Sequence, residues 1–125
     1  MQAFQNLAVW QKSHQLTLKI YEHSKGFPSD ERFGLTSQLR RSASSVPANI
    51  AEGCARDREK EFAQFLRIAL GSATETEYHL LLARDLGYLS SASHDDLSAG
   101  SLEIQRMLAS FIRRLSDNAN KAASN

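Results

Sequence analysis

Apolar side chains recur at spacings of three and four residues through four separate stretches of this 125-residue chain. Because an α-helix turns by about 100° per residue, that spacing places them on one helix face. Short breaks at residues 26–28, 53–57 and 87–93 separate the stretches. With only 6 Gly and 2 Pro, the chain has too few turn residues for a sandwich or barrel. The pattern predicts an all-α protein, an antiparallel up-down four-helix bundle.

The breaks also predict where the four helices begin and end. We expect the first helix between Asn6 and Lys25, and the second from just after Ser29 to about residue 53. The third should span residues 58–86, and the fourth should start at an N-cap on Ser93. Residues 1–117 then form a single domain, and the small polar residues 118–125 form a flexible C-terminal tail.

Composition and charge argue against several classes of protein. Lys and Arg number 15 and Asp and Glu 14, so a net charge of +1 provides no strong chain-wide attraction for nucleic acid or membranes. The longest apolar run, residues 80–83, is far shorter than the roughly 20 residues of a membrane-spanning helix. The N-terminus shows no targeting segment, and the single Cys54 suits a reducing compartment. We expect a cytoplasmic protein with no membrane partner.

Two of the predicted helices carry more apolar surface than a monomeric bundle needs. Helix 1 has two opposed apolar faces. The apolar arc of helix 3 spans roughly 260°, whereas a bundle helix with one solvent-exposed side needs an arc of about 100°. A second copy of the chain is the simplest cover, although scattered surface hydrophobic residues are also common. The interface candidates are Trp10, Leu16, Ile20, Tyr21, Phe65, Ile68, Leu82 and Leu86.

Polar residues also recur at helical spacing and form a candidate seam. Its members are Gln38, Ser42, Ser45, Asn49 and Glu52 on helix 2, with Ser72, Glu75 and His79 on helix 3. Two interpretations remain open: water-facing helix surfaces, or an enclosed hydrogen-bonded network that sets the register of an assembly. Next to Ser72, the mid-helix Gly71 predicts a neighbouring helix too close for a side chain.

The sequence contains no recognisable catalytic or metal-binding pattern. Glu75 and His79 lie four residues apart on a single helix, without the second copy that a di-metal bundle requires. Cys54 has no Cys or His at metal-ligand spacing. Neither a nucleophile elbow nor a glycine-rich phosphate loop is present. We therefore predict a non-enzymatic protein with no metal, no cofactor and no small-molecule substrate.

A local excess of positive charge leaves nucleic-acid binding as an alternative. Residues 31–60 hold six basic and four acidic side chains, which could form a belt if repeated around a ring. No aromatic residue lies between Arg40 and Arg58, so base stacking is not indicated there and a solvated face is favoured. The candidate residues for weak RNA or DNA binding are Arg40, Arg41, Arg56 and Arg58.

Several multi-residue motifs follow one another in order between residues 4 and 115. They are Val9-Trp10-Gln11-Lys12-Ser13, Phe27-Pro28-x-x-Glu31, Leu35-Thr36-Ser37-Gln38-Leu39-Arg40-Arg41-Ser42-Ala43, Ser45-Val46-Pro47-Ala48-Asn49-Ile50-Ala51-Glu52-Gly53, Phe65-Leu66-Arg67-Ile68-Ala69-Leu70-Gly71-Ser72 and Leu86-Gly87-Tyr88-Leu89. With these motifs the chain resembles the 23S rRNA intervening-sequence protein family. The resemblance implies a four-helix bundle that assembles as a homopentamer, and it supplies no catalytic residues.

The family is also distantly similar to the accessory variability protein of diversity-generating retroelements. That relative is a basic pentameric barrel that binds nucleic acid and a reverse transcriptase, whereas this chain is nearly neutral. We therefore predict a homo-oligomeric, pentameric scaffold or partner-binding module of unknown molecular role. The alternative is an RNA- or DNA-binding accessory protein that uses the basic belt.

Overall fold

The computed structural model describes residues 3–124, and four α-helices account for most of them. These are α1 (Ala8–Ser24), α2 (Leu35–Cys54), α3 (Glu59–Asp85) and α4 (Ser91–Ser124). Short 3₁₀ turns at Phe4–Asn6 and Ser29–Glu31 precede α1 and α2. This part of the chain contains no strand, so the all-α prediction is confirmed. None of its helices is both long and apolar enough to cross a membrane.

The helices form a closed ring of neighbours in chain order. α1 packs on α2, α2 on α3 and α3 on α4, and α4 returns to pack on α1. The short connections make consecutive helices antiparallel, which confirms the predicted up-down four-helix bundle. Every helix contributes to the core, and its largest fully buried side chains are Ile20, Leu39, Ile50, Leu66, Leu80, Leu97, Ile104 and Leu108.

The second helix begins later than the sequence predicts. After the 3₁₀ turn, α2 starts at Leu35, whose backbone N–H donates to Oε1 of Glu31 over 3.2 Å. Gly34 allows this cap, because a Cβ at that position would lie 2.7 Å from the same carboxylate oxygen. The other oxygen of Glu31 accepts the hydroxyl of Tyr88 at 3.0 Å and raises the pKa of that phenol. Glu31 therefore joins the α1–α2 connection to the α3–α4 connection.

The fourth helix extends beyond both of its predicted boundaries. It begins at Ser91 rather than after Ser93, because Oγ of Ser90 accepts the backbone N–H of Ser93 at 3.1 Å. At the other end it continues to Ser124, so residues 118–124 of the predicted tail are helical. Asn125 lies outside the described residues.

A proline inside α2 is compensated by a side chain from α1. Pro47 has no N–H, so it cannot bond the carbonyl of Ala43 one turn earlier. The hydroxyl of Thr17 lies 3.1 Å from that carbonyl and 2.8 Å from the carbonyl of Ser13. The buried carbonyl of Ala43 thus keeps a donor, and the bond fastens α1 to α2.

The close helix contact predicted at Gly71 is made by Gly53 instead. Gly71 is exposed, and an added Cβ would meet no atom within 4 Å. At Gly53 the same Cβ would lie 2.8 Å from Cδ1 of Phe62 and 3.0 Å from Cβ of Phe65. The prediction for Gly71 is therefore wrong, because that residue lies on the outward side of α3.

Candidate functional site

A second heptad-spaced row of side chains runs along α3 beside the row that faces the core. Two of its aliphatic members remain largely in water: Ile68 is 52% and Leu86 49% exposed. Phe65 and Leu82 are half-buried. We call this row the α3 outer stripe; it comprises Phe65, Ile68, Ser72, Glu75, His79, Leu82 and Leu86.

On α1, the structure corrects two of the predicted interface residues. Leu16 and Ile20 are 8% and 0% exposed and belong to the core of the chain itself. Because α1 packs against both α2 and α4, Leu16 and Ile20 are covered within one bundle, whereas Leu18 is 50% and Tyr21 42% exposed. Trp10 is half-buried and stacks on His14. Of the four candidates on this helix, Tyr21 is the exposed one.

The centre of the predicted polar seam is a hydrogen-bonded network between α2 and α3. The hydroxyls of Ser45 and Ser72 lie 2.9 Å apart across the helix contact. Asn49 donates its side-chain amide to Oγ of Ser45 over 3.0 Å. Gln38 and Glu52, at the ends of the seam, are exposed. The helices therefore enclose the middle of the seam, while its ends face water.

A second group of the network surrounds His79, which is 5% exposed. Nδ1 of His79 lies 3.4 Å from Oγ of Ser42, which also accepts the hydroxyl of Thr76 at 2.9 Å. Nε2 lies 3.7 Å from Glu75, and Glu75 also accepts a bond from Arg41. Burial lowers the pKa of His79; Glu75 opposes that shift and Arg41 adds to it. The sequence did not point to Thr76, because its spacing matches the core row of α3.

Ser42, His79 and Glu75 contain the residue types of a catalytic triad, but their setting is structural. Ser42 is 0% exposed, and its hydroxyl donates to the carbonyl of Leu39 over 3.1 Å. A nucleophile must reach its substrate, and this oxygen has no access to one. No group of three or more His, Cys, Asp or Glu side chains could hold a metal ion in the described part of the chain. The network therefore joins α2 to α3.

The four candidate arginines fall into two separate pairs. Arg40 and Arg41 lie near the start of α2, while Arg56 and Arg58 follow its end, at least about 20 Å away along the helix. Three of the four have a nearby carboxylate: Glu75 for Arg41, Glu52 for Arg56 and Glu61 for Arg58. Within residues 3–124, no carboxylate lies within 4.0 Å of the Arg40 guanidinium. One chain thus presents two basic clusters and no continuous belt.

Aromatic rings from other helices lie against two of these arginines, although none is interleaved with them in the sequence. The guanidinium of Arg40 is 4.7 Å from the ring centroid of Tyr21, and Arg56 is 4.7 Å from that of Phe65. The rings come from α1 and α3, so they are not near the arginines in sequence. Such contacts hold a guanidinium in a fixed orientation and contribute about 0.5–1 kcal/mol at exposed sites.

Comparison with known proteins defines the family. The sequence pattern of the 23S rRNA-intervening sequence protein family matches residues 5–110. The chain belongs to this family. The match confirms the resemblance seen in the motifs, and it spans the seam and the whole α3 outer stripe. No curated protein matches the chain.

A solved structure shows the same fold at recognisable sequence similarity. It is a protein with unknown function from the S23 ribosomal protein family of Bacteroides thetaiotaomicron. The two sequences are 30% identical, and the superposition has a TM-score of 0.76. The match covers 84% of this chain and 98% of the other. The similarity therefore extends over almost the entire length of that relative.

Proposed function

We propose that this protein is a non-enzymatic, homo-oligomeric four-helix bundle that acts as a scaffold or partner-binding module. The observation that carries the proposal is the α3 outer stripe, where Ile68 and Leu86 are half exposed on one helix face. Leaving apolar area in water costs about 25 cal/mol per Å², so a partner that covers both side chains would gain that free energy.

The layout of the stripe favours another copy of the chain as its occupant. Apolar side chains lie at both ends, Phe65 and Ile68 at one and Leu82 and Leu86 at the other. Ser72 and Glu75 occupy the polar centre. Ile68 and Leu86 lie about 27 Å apart along α3, within the length of one neighbouring bundle helix, while the centre of the stripe bonds α2 of the same chain. Five copies is the number that the family resemblance implies.

Light scattering on purified protein tests the assembly. We expect a multiple of 13.9 kDa for the parent chain, about five times that mass, and monomer for the double variant Ile68→Glu, Leu86→Glu. Leu102→Glu is the matched control, because Leu102 is 40% exposed but lies on α4. A monodisperse parent monomer would contradict the proposal, whereas a dimer or tetramer would contradict only the number of copies.

The alternative, RNA or DNA binding through a basic belt, has weaker support. Three of its four arginines lie beside carboxylates, which reduce the positive potential available to phosphates. Changing both Arg41 and Arg58 to Glu tests the belt. Sub-micromolar binding of structured RNA at about 150 mM salt, abolished in that variant with assembly intact, would favour this alternative.

A further inference from the structure

A cationic cleft lies between the end of α1 and the beginning of α2. It has a volume of about 440 Å³, within the usual range for ligand sites. Its lining includes no carboxylate and comprises two aromatic side chains, two aliphatic hydroxyl side chains and three guanidinium groups. The residues are Tyr21, Arg32, Phe33, Thr36, Ser37, Arg40 and Arg41. The lining thus carries a formal charge of +3 in a chain whose net charge is +1.

Two of the three guanidinium groups are available for an anion. Arg41 bonds to Glu75. For Arg32 and Arg40, no carboxylate of the described residues lies within the 4.0 Å of an ion pair. Because the interior of the cleft supplies no counter-charge, a bound anion would be attracted by both groups.

Arg40 is held in place by contacts that leave its charge uncompensated. Its Nε donates to Oγ of the buried Ser24 over 2.8 Å, and a terminal nitrogen lies 3.3 Å from the carbonyl oxygen of Tyr21. The same guanidinium stacks over the Tyr21 ring. A side chain that is already ordered loses little conformational entropy when it binds a ligand.

Phe33 supplies an aromatic surface at the rim of the cleft. Its side chain is 88% exposed, the largest exposure among the large apolar residues described. The ring lies 5.3 Å from the guanidinium carbon of Arg32, in the turn immediately before α2. An exposed ring beside unpaired arginines matches the way single-stranded nucleic acids are bound, with bases on aromatic faces and phosphates on cations.

We propose that this cleft binds a short segment of single-stranded nucleic acid, with a base on Phe33 and phosphates on Arg32 and Arg40. A duplex hides its base faces, so the stacking contact favours a single strand. The proposal is independent of self-assembly, since the exposed apolar ends of the α3 outer stripe lie outside the cleft lining.

Fluorescence anisotropy with a labelled oligouridine of about 12 nucleotides tests the cleft. At low salt we expect single-strand binding that exceeds binding of a duplex of equal length. The two phosphate contacts, on Arg32 and Arg40, predict a slope near about −1.4 for log K against log salt. Free uridine monophosphate and inorganic phosphate, used as competitors, separate strand binding from binding of one nucleotide or one anion.

Three variants separate the contributions of stacking, charge and overall electrostatics. Phe33→Ser should weaken binding by about tenfold and leave the salt slope unchanged, because it removes an aromatic ring and no charge. Arg32→Gln should reduce the slope by about 0.7, the contribution of one phosphate contact. Arg113→Gln on α4 makes the same charge change on another exposed arginine and should leave binding unchanged.

Both cleft variants alter exposed side chains, so oligomeric mass and melting temperature should remain those of the parent. Equal binding by the parent, Phe33→Ser and Arg32→Gln would overturn the proposal. So would absence of binding at low salt, a preference for duplex, or full competition by inorganic phosphate at equal concentration. Binding that Arg113→Gln weakens as much as Arg32→Gln would show a diffuse electrostatic effect and also overturn it.

Discussion

Nδ1 of His79 on α3 lies 3.4 Å from Oγ of Ser42 on α2, in a contact from which water is almost absent. Burial disfavours the imidazolium form, and the nearby Arg41 disfavours it further. Glu75 is the one group in the cluster that would stabilise a proton on His79. The hydrogen-bonded contact between α2 and α3 therefore contains His79 as a neutral imidazole.

The lowered pKa of His79 predicts that folding stability decreases in mild acid. In the unfolded chain the pKa of this imidazole is about 6.5. Below that pH the unfolded state binds a proton more readily than the folded state does. The stability contribution is present above that pKa and is lost as pH falls toward the lower folded value. We expect urea unfolding to show this loss for the parent and not for His79→Gln.

Two further variants define the origin of that pH effect. His14→Gln removes a histidine outside the cluster and should retain the parent profile. Glu75→Gln removes the one carboxylate that favours the protonated form, so the loss of stability should extend to lower pH. Parallel profiles for the parent and His79→Gln would contradict the assignment to His79.

The hydroxyl of Thr17 should contribute measurably to stability through the carbonyl that Pro47 leaves without a backbone donor. Thr17→Val preserves the shape of the side chain but removes the donor, and should lower the free energy of unfolding by about 1–2 kcal/mol. Thr74→Val is the control, because Thr74 is exposed and its hydroxyl contacts the Leu70 carbonyl of its own helix and the Gln105 side chain, neither of which lacks a donor through a proline. Equal losses at the two positions would show that the α1–α2 bond has no special role.

Gly53, near the end of α2, and Gly71, in the middle of α3, should respond in opposite directions to alanine. At Gly53 the new Cβ meets Phe62 and Phe65, so overpacking should cost about 1–3 kcal/mol. At Gly71 it meets nothing, and the better helix propensity of alanine should add about 0.5–1 kcal/mol. Thermal unfolding measures both. A lower melting temperature for Gly71→Ala would show that a partner surface covers this position.

Glu31 should stabilise the fold more than an ordinary surface carboxylate. Glu31→Ala removes both the cap of Leu35 and the acceptor for Tyr88, and should cost about 0.5–2 kcal/mol of unfolding free energy. Glu22→Ala, which breaks the exposed pair with Lys25, should change stability by less than about 0.5 kcal/mol. Equal changes in unfolding free energy for the two substitutions, measured by denaturant unfolding, would contradict the capping role of Glu31.

The spacing of apolar residues, the breaks between helical stretches and the ordered motifs were sufficient to predict the helices, the bundle and the family. Each of these properties depends on residues that are close in the chain: three or four apart within a helix, or adjacent in a motif. The seam was also visible in the spacing of Ser45 and Ser72 along their helices. The spacing could not reveal whether those hydroxyls meet, because that depends on how α2 and α3 are rotated relative to each other.

Packing between helices decided the features that spacing left open or predicted wrongly. Leu16 and Ile20 are buried because α1 contacts two neighbours, whereas Ile68 stays half exposed although α2 contacts other residues of its row. The ring of Tyr21 reaches Arg40 from a different helix. Sequence spacing reports which residues share a helix face; the tertiary structure decides what each face contacts, because burial and pairing arise between segments distant in the chain.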